Sequence, residues 1–265
     1  MENKYDAHII ITLIITFIVT LFGILWISGT LLGVWDRFWY GIIRKLYCKY
    51  FIYKYMYNDN LTPVSKRRLT LVKKKTLILD MDETLITSVM IKEDGTPPPT
   101  KKCKSKNVPC DFEFLLQDDT RVKVYKRPFM DYFLDRVSVW YDIIIFTAGT
   151  EAYATPILDY LDGGRNILTQ RLFRDSCVNV YGFNAKFVSL VCPDMANVIL
   201  LDNSISECSF NVNNAIPITD YVIGDWDNKL LNILPFLDAL RFVQDVRSIL
   251  KRCKVLNAPS SFIDL

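Results

Sequence analysis

The chain has 265 residues and a formal net charge of +3. This length allows one large core, or one core with a separate anchor. A charge so close to balance gives no indication of nucleic-acid binding. The only histidine, His8, lies at the edge of an apolar segment, so histidine-based catalysis in a folded domain is almost excluded. The seven cysteines include no Cys-x-x-Cys pair, which predicts reduced thiols in a reducing compartment.

The N-terminal segment carries no charge from Ile9 to Trp35. A helix of about 20 apolar residues crosses a bilayer, so residues 1–35 predict a transmembrane anchor. A cleaved signal peptide would have a shorter apolar region behind a basic start. A buried soluble helix would not need to be apolar on all sides. We therefore expect a retained, single-pass membrane helix.

Residues 36–75 are rich in aromatic and basic side chains, a composition typical of the membrane interface. Residues 36–57 predict an interfacial helix that lies on the membrane, with an amphipathic helix packed on the domain as the alternative. Residues 58–75 are polar and basic and predict a linker. The positive-inside rule then places everything after the anchor on the cytoplasmic side.

Three short apolar runs in the rest of the chain each end in polar side chains. They are Thr76–Leu79 before Asp80, Asp142–Phe146 before Thr147, and Val198–Leu201 before Asp202 and Asn203. Continuous apolar runs of this length predict strands that are covered on both faces. Helical patterns accompany them over residues 128–140, 151–161 and 229–252. The alternation predicts an α/β fold with a doubly wound parallel sheet.

An insertion is predicted between the first two of these strands, over residues 91–125. Residues 111–116 and 121–125 flank a turn-like Gln117-Asp118-Asp119-Thr120, which predicts a β-hairpin. A lysine-rich loop at 100–106 precedes it. We expect the insertion to shape access for a substrate.

Asp80 and Asp82 follow the first strand at a spacing of two residues. Carboxylates this close repel each other unless a cation or a shared proton compensates. Hard oxygen ligands of this kind suit Mg²⁺. Together with Asn203, which follows the third strand, these aspartates predict a magnesium site.

Two further side chains are candidates for binding phosphate. Lys186 can supply a fixed positive charge to the phosphate oxygens, and Thr147 can donate a hydroxyl hydrogen bond to them. Asp202 can hold Lys186 in place. The alternatives are a surface lysine for Lys186 and a helix cap for Thr147.

The segment Asp80-x-Asp82-x-Thr84 resembles the DxDxT signature of haloacid-dehalogenase phosphatases. A wider set of segments, in the same order, is similar to the FCP/SCP branch of that superfamily. These segments are Arg127-Pro128, Trp140-Tyr141, Phe146-Thr147-Ala148, Arg171-Leu172-Phe173-Arg174, Leu201-Asp202-Asn203-Ser204 and Asn214-Ala215-Ile216-Pro217. The tail from Leu230 to Ser248 resembles most the Dullard-like nuclear envelope phosphatases. The resemblance covers residues 76–252, interpreted as a phosphatase domain before a C-terminal tail at 253–265.

The resemblance implies roles for several residues. Asp80 attacks phosphorus and carries an aspartyl-phosphate, and Asp82 protonates the leaving oxygen and later helps to deprotonate water. Thr84 orders the loop. The same resemblance implies that phosphate binds to Thr147 and Lys186, and that Mg²⁺ binds to Asp80, the carbonyl of Asp82 and Asn203.

The resemblance also implies a biological setting. The family acts on phosphoserine and phosphothreonine in proteins. The Dullard-like branch lies in the nuclear envelope and endoplasmic reticulum membrane, pairs with a small transmembrane regulatory subunit, and acts on lipin-type phosphatidate phosphatases. Departures such as Gly149, where the family often has serine, concern substrate preference and remove no catalytic group.

Two other functions remain open at this point. One is a catalytically silent, membrane-anchored binding module that resembles the mitochondrial import receptor of the same fold. The intact Asp80, Asp82 and Thr84 argue against it. The other is a small-molecule phosphatase of the wider superfamily, which the Dullard-like tail disfavours.

Overall fold

A computed structural model describes residues 2–31, 33–54, 61–91, 108–204 and 206–256. Contacts between residues divide the chain into two compact units. The N-terminal unit comprises residues 1–50 and 106–109, and the main unit comprises residues 51–105 and 110–265. The lysine-rich loop at 100–106 and most of the tail predicted at 253–265 lie outside the described residues.

The N-terminal unit contains helix α1 (Glu2–Leu31) and most of the next helix, α2 (Val34–Lys54), whose last four residues belong to the main unit. The chain changes direction between them at Gly33, whose φ of 64° is a conformation that favours glycine. Trp26 of α1 stacks on Trp35 at the start of α2, with ring centroids 5.2 Å apart. The helix predicted over residues 36–57 is therefore present as α2. Its position at a membrane interface stays a prediction.

The transmembrane helix predicted within residues 1–35 is not found. Within the described ranges, no helix combines the length and the apolar composition needed to cross a membrane. Helix α1 ends at Leu31 and α2 begins at Val34, so the end of the uncharged run, up to Trp35, lies outside α1.

The main unit combines ten strands with shorter helices among the residues that the structure describes. The strands are β1 (Lys75–Leu79), β2 (Ile86–Ile91), β3 (Phe112–Leu115), β4 (Arg121–Lys126), β5 (Tyr141–Phe146), β6 (Gln170–Leu172), β7 (Val178–Val180), β8 (Phe183–Ala185), β9 (Val198–Asp202) and β10 (Ala215–Pro217). The helices are α3 (Pro63–Leu71), α4 (Met130–Trp140), α5 (Glu151–Asp162), α6 (Val188–Val191), α7 (Lys229–Asn232), α8 (Leu234–Leu240) and α9 (Val246–Leu256).

Five parallel strands form the central sheet, in the order β10-β9-β1-β5-β6. The chain adds β5 and β6 on one side of β1, and later adds β9 and β10 on the other side. The sheet is therefore α/β and wound in both directions from β1, as predicted. Leu77, Ile78 and Leu79 have no solvent exposure, which explains the continuous apolar run in the sequence.

The register of this sheet brings the three predicted strand ends together. Leu79 pairs with Ile145 of β5 and with Leu201 of β9. Asp80 and Asp202 therefore lie at the same level, and β5 extends one residue further, to Phe146, before Thr147. Polar groups at the carboxyl edge of β1, β5 and β9 become neighbours.

A second, antiparallel sheet has the order β2-β4-β3. The hairpin predicted in the insertion is present as β3 and β4, with Phe112 opposite Val124. Strand β2 was not predicted, because its partly exposed sequence lacks the continuous apolar pattern of a central strand. It begins directly after the Asp80 segment and so connects that segment to the insertion.

The helix predicted over residues 229–252 is wrong as a single element. The chain forms α7, α8 and α9 instead. Pro235 lies in the first turn of α8, where its missing N–H costs nothing, but it cannot continue α7. Asp245 precedes α9 and accepts a hydrogen bond from the backbone N–H of Arg247 at 2.9 Å, so the sequence starts a new helix there.

Candidate active site

Asp80 is the first residue after β1, and backbone hydrogen bonds fix the loop that follows it. The Asp80 N–H donates to the carbonyl of Leu201 at 3.0 Å, which continues the β1–β9 pairing by one residue. The Glu83 N–H donates to the carbonyl of Ile86 at 2.6 Å, and the Glu83 carbonyl accepts from Tyr221 N–H at 2.7 Å. Glu83 has a φ of 60°, so this turn adopts a left-handed conformation that its surroundings must hold.

A buried lysine lies at the centre of the site. The Lys186 Nζ contacts one carboxylate oxygen of each of three residues, Asp80 at 2.6 Å, Asp202 at 2.7 Å and Glu207 at 2.8 Å. The side chains of Lys186 and Asp202 have no exposed surface, whereas that of Glu207 is 22% exposed. An ammonium has three N–H donors, and these three carboxylates are sufficient to use all of them.

Burial and charge act in opposite directions on this lysine and on Asp80. Burial raises the pKa of Asp80 to about 8, although the neighbouring Lys186 lowers it. Burial lowers the pKa of Lys186, but Asp80, Asp202 and Glu207 together raise it well above its usual range. The ammonium therefore remains charged, and the pKa of Asp80 lies near neutral pH in the absence of another cation.

Asn203 follows β9 and faces the Asp80 loop. Its Oδ1 accepts a hydrogen bond from the Thr84 hydroxyl at 3.1 Å, and its Nδ2 donates to Asp220 at 2.9 Å. These two contacts fix the orientation of the amide, so that its oxygen points toward the loop. Thr84 is fully buried and connects the loop after β1 with the end of β9.

Arg127 also binds the loop that follows β1. Its guanidinium donates to the Thr84 carbonyl at 3.0 Å and to the Asp227 carboxylate at 2.7 Å. The Arg127 side chain has no exposed surface, and that of Asp227 is 4% exposed. A planar guanidinium can contact a carboxylate and a carbonyl at once, which a lysine ammonium cannot do with the same geometry.

Thr147 terminates β5. Its N–H donates to the carbonyl of Leu172 at 3.0 Å, and its Oγ1 accepts from the Gly149 N–H at 2.9 Å. Because the Thr147 oxygen accepts in this contact, its hydrogen remains available to donate elsewhere. The helix that follows, α5, begins at Glu151.

These elements surround a cavity of about 580 Å³. Its lining includes Asp80, Asp82, Glu83, Ser88, Met90, Leu116, Thr147, Gly149, Tyr153, Arg174, Asn203 and Glu207. Four residues predicted from the sequence thus face the cavity, namely Asp80, Asp82, Thr147 and Asn203. The other three, Thr84, Lys186 and Asp202, lie behind the wall and contact residues that form it.

The donor set of this cavity fits a magnesium ion. One oxygen each of Asp80, Asp202 and Glu207 lies within 4.8 Å of the others, but Lys186 already contacts all three. Asp82 adds a further carboxylate, and Asn203 adds an oriented amide oxygen. Negative charge therefore exceeds positive charge around Asp80, and the ligands facing the cavity are the hard oxygens that Mg²⁺ prefers.

Several residues at the site were not identified as site residues from the sequence, among them Tyr153, Glu207 and Arg174. The Tyr153 hydroxyl donates to Asp82 Oδ1 at 2.5 Å and lies 2.6 Å from the Ser88 hydroxyl. Burial raises the pKa of Tyr153, and Asp82 raises it further, so the phenol stays protonated. Glu207 reaches the cavity from a turn without a motif that predicts it, and Arg174, at the start of a short 3-10 helix, belongs to a segment that carried only the family resemblance. The sequence did contain an indication for Tyr153. The helix α5 begins only four residues after Thr147, so its first turn lies close to the end of β5.

Comparisons with known proteins show which family the sequence matches. The sequence profile of the NLI interacting factor-like phosphatases matches residues 75–247. The CTD nuclear envelope phosphatase 1 homolog of Drosophila melanogaster is 46% identical over 195 residues, which are 72% of this chain and 78% of that protein. CTD nuclear envelope phosphatase 1B of Danio rerio is 40% identical over 237 residues, 88% of this chain and 94% of that protein.

One solved structure among those that are similar is Fcp1, an essential RNA polymerase II CTD phosphatase. It is 21% identical, with a TM-score of 0.47, and the alignment covers 74% of this chain and 58% of that one.

Proposed function

Because the chain belongs to the NLI interacting factor-like phosphatase family and is a protein phosphatase, we propose that it hydrolyses phosphoserine and phosphothreonine with Mg²⁺, through an aspartyl-phosphate on Asp80. The observation that carries the proposal is the position of Asp80. Its carboxylate lies on the cavity wall and is held from behind by a buried ammonium at 2.6 Å. A carboxylate fixed in this way is a suitable nucleophile for phosphorus.

In the first step, an Asp80 oxygen forms a bond to phosphorus while the bond from phosphorus to the serine or threonine oxygen breaks. Asp82 faces the same cavity and donates its proton to the departing oxygen. The product hydroxyl leaves, and the phosphoryl group remains on Asp80.

In the second step, water attacks the phosphorus and the bond from phosphorus to the Asp80 oxygen breaks. Asp82, now a carboxylate, accepts the proton of the water. Inorganic phosphate is released, and both aspartates return to their starting protonation states.

The phosphoryl oxygens need positive charge and hydrogen-bond donors in both steps. Thr147 lines the cavity and can donate its hydroxyl. Lys186 can donate to phosphate when one of its carboxylate partners moves away. Mg²⁺ held by Asp80, the carbonyl of Asp82 and Asn203 would screen the negative charge of the phosphate from the aspartates.

The proposed substrates are phosphoproteins that regulate membrane lipid synthesis, of the lipin-type phosphatidate phosphatase class. The support is the resemblance of the chain to the Dullard-like branch and its likeness to proteins named nuclear envelope phosphatase. A small transmembrane regulatory subunit belongs to the same proposal. Phosphorylation of a lipin-type protein, measured with and without this chain in cells, tests the substrate class.

The proposed location is the nuclear envelope and the connected endoplasmic reticulum, with the main unit on the cytoplasmic or nucleoplasmic side. Helix α1 supports an association with membranes through exposed apolar side chains such as Leu13, Phe17 and Phe22, which are 64%, 67% and 68% exposed. Replacing these three by serine should reduce cofractionation with nuclear membranes. Val64→Ser, at another exposed apolar residue, is the matched control and should change nothing.

Hydrolysis of a phosphoserine peptide by the full chain tests the activity. We expect turnover that requires Mg²⁺, stops with a chelator, and is lost in Asp80→Asn. A chain that binds the phosphopeptide but never hydrolyses it would favour the silent binding module. Equal, metal-independent rates in both proteins would contradict the mechanism.

A further inference from the structure

We propose that Tyr153 is a positioning residue that fixes which oxygen of Asp82 carries the transferred proton. This inference rests on the proposed function, because it concerns the role of Asp82 as acid and base. Tyr153 comes from α5, whereas Asp82 comes from the loop after β1. The two residues are therefore brought together by the fold and not by sequence proximity.

The hydrogen bonds around the phenol oxygen have a defined direction. An ionised carboxylate can only accept, so the Tyr153 hydroxyl donates to Asp82 Oδ1 across 2.5 Å. The phenol oxygen is then an acceptor for the Ser88 hydroxyl, 2.6 Å away. Ser88 belongs to β2, and Tyr153 is only 6% exposed. Two consecutive hydrogen bonds thus connect Ser88 of the antiparallel sheet, through the Tyr153 hydroxyl, to the Asp82 carboxylate.

The hydrogen bond from Tyr153 determines which oxygen of Asp82 can hold the transferred proton. Oδ1 already receives the hydrogen of Tyr153, so a proton that binds to Asp82 is favoured on Oδ2. The acid proton therefore has one position, and the carboxyl plane is held by a short, charge-assisted bond. Without the phenol, Oδ1 would lose this hydrogen bond, and the proton would no longer be favoured on Oδ2. Only part of the population would then be aligned with the leaving oxygen.

The position of the ring depends on the absence of a side chain at residue 149. A Cβ on Gly149 would lie 2.9 Å from Cδ1 of Tyr153 and 3.2 Å from Oγ1 of Thr147. Contacts below 3.0 Å require one group to move. Gly149 therefore permits the ring to approach the end of β5, and the hydroxyl to reach Asp82.

Two substrates with different leaving groups test this role. A phosphoserine peptide must release an alkoxide, which needs a proton from Asp82, whereas p-nitrophenyl phosphate releases a stable anion that needs none. We expect Tyr153→Phe to lower kcat/KM for the peptide by about 10- to 100-fold, part of the effect of general acid catalysis. The parameter kcat/KM reports the first step. Because p-nitrophenolate leaves in that step without a proton from Asp82, kcat/KM for p-nitrophenyl phosphate should fall less than about threefold.

Tyr160→Phe is the matched control. Tyr160 lies on the same helix, and its hydroxyl donates to the carbonyl of Asp111 at 2.8 Å, away from both aspartates. Tyr160→Phe should leave the ratio of kcat/KM for the peptide to kcat/KM for p-nitrophenyl phosphate unchanged. Thermal unfolding of both variants reports whether the loss of a phenol hydroxyl affects folding.

The outcomes separate this inference from the proposed function. Equal losses for both substrates in Tyr153→Phe, or no loss for either, would overturn the positioning role while leaving the phosphatase intact. No turnover of either substrate by the unmodified chain would instead overturn the proposed function. Should Tyr153→Phe fail to fold, Ser88→Ala removes only the donor to the phenol. It should give a smaller loss with the same selectivity for the peptide, and an unselective result in this variant would also overturn the role.

Discussion

The ammonium of Lys186 lies 2.6 Å from the carboxylate of Asp80, and both side chains are buried at the carboxyl edge of the central sheet. Lys186 directly follows a short antiparallel pair, β7–β8, whereas Asp80 directly follows the central strand. A single positive charge is shared among Asp80, Asp202 and Glu207. This excess of carboxylates over cations is the basis of the first three predictions below.

Removal of the buried ammonium should destabilise the fold. Lys186→Gln leaves three carboxylates close together without a cation, and losing one partner of a buried ion pair costs about 3–5 kcal/mol. Urea unfolding at neutral pH measures the loss. The control Lys73→Gln removes an exposed pair with Asp194, and its unfolding curve should match that of the unmodified chain. Equal curves for all three proteins would contradict the structural role of Lys186.

Binding of Mg²⁺ should depend on pH through Asp80. Burial raises the pKa of this carboxyl to about 8 in the absence of a metal, and the metal binds the deprotonated form. Below this pKa a proton competes with the metal for Asp80. The apparent affinity for Mg²⁺ should therefore increase with pH by up to about tenfold per pH unit, and it should become constant above the pKa. Calorimetric titration between pH 6 and 9 measures the trend. Asp80→Asn should remove it, and an affinity independent of pH in the unmodified chain would contradict the assignment.

Phosphate binding should become tighter when Glu207 is neutralised. Phosphate can reach the Lys186 ammonium only by displacing a carboxylate, and Glu207 is the most exposed of the three. Glu207→Gln also removes a negative charge from the cavity wall. We expect the inhibition constant of inorganic phosphate to fall about 3- to 10-fold, a gain of about 0.7–1.4 kcal/mol.

Glu151→Gln is the matched control for this change, since Glu151 is exposed in the first turn of α5 and is not part of the cavity wall. It should leave the inhibition constant unchanged. Weaker phosphate binding in Glu207→Gln would mean that Glu207 assists Lys186 and does not compete with phosphate for it.

Replacement of Arg127 by lysine should disturb the loop that carries Asp80 and Asp82. The guanidinium joins the Thr84 carbonyl to Asp227, and a lysine cannot reproduce both contacts. We expect a loss of about 2–4 kcal/mol in unfolding free energy, together with reduced turnover in the fraction that remains folded. Arg121→Lys, at a largely exposed pair with Glu113, is the control and should affect neither. An Arg127→Lys protein with unchanged turnover would show that the loop does not depend on this contact.

The central sheet could be predicted because its strands are buried on both faces. The runs that became β1, β5 and β9 are continuous and apolar for this reason, and their common register made the polar residues at their ends predictable neighbours. Strands β6, β7, β8 and β10 have three residues each. Three residues are too few to show a hydrophobic period, so these strands are defined only by their pairing with neighbouring strands.

The site was predictable where a residue follows a strand, and not where tertiary contacts bring it in. Asp80, Thr147 and Asn203 were identified from strand ends, but Glu207 lies in a loop with no pattern. Tyr153 belongs to an ordinary amphipathic helix, in which an aromatic residue most often indicates packing. The break before Pro235 shows a further limit, because an apolar helical pattern can continue across two separate helices.

In the proposed mechanism, Asp80 carries the phosphoryl group during turnover, and this can be measured directly. The full chain is mixed with a ³²P-labelled phosphoserine peptide and Mg²⁺, quenched in acid within the first turnover, digested, and mapped by mass spectrometry. We expect a label on the peptide that contains Asp80. This label should be released by hydroxylamine, as expected of an acyl phosphate, and should be absent from Asp80→Asn. A label on another residue, or rapid hydrolysis in the first turnover with no labelled protein at any quench time, would contradict it.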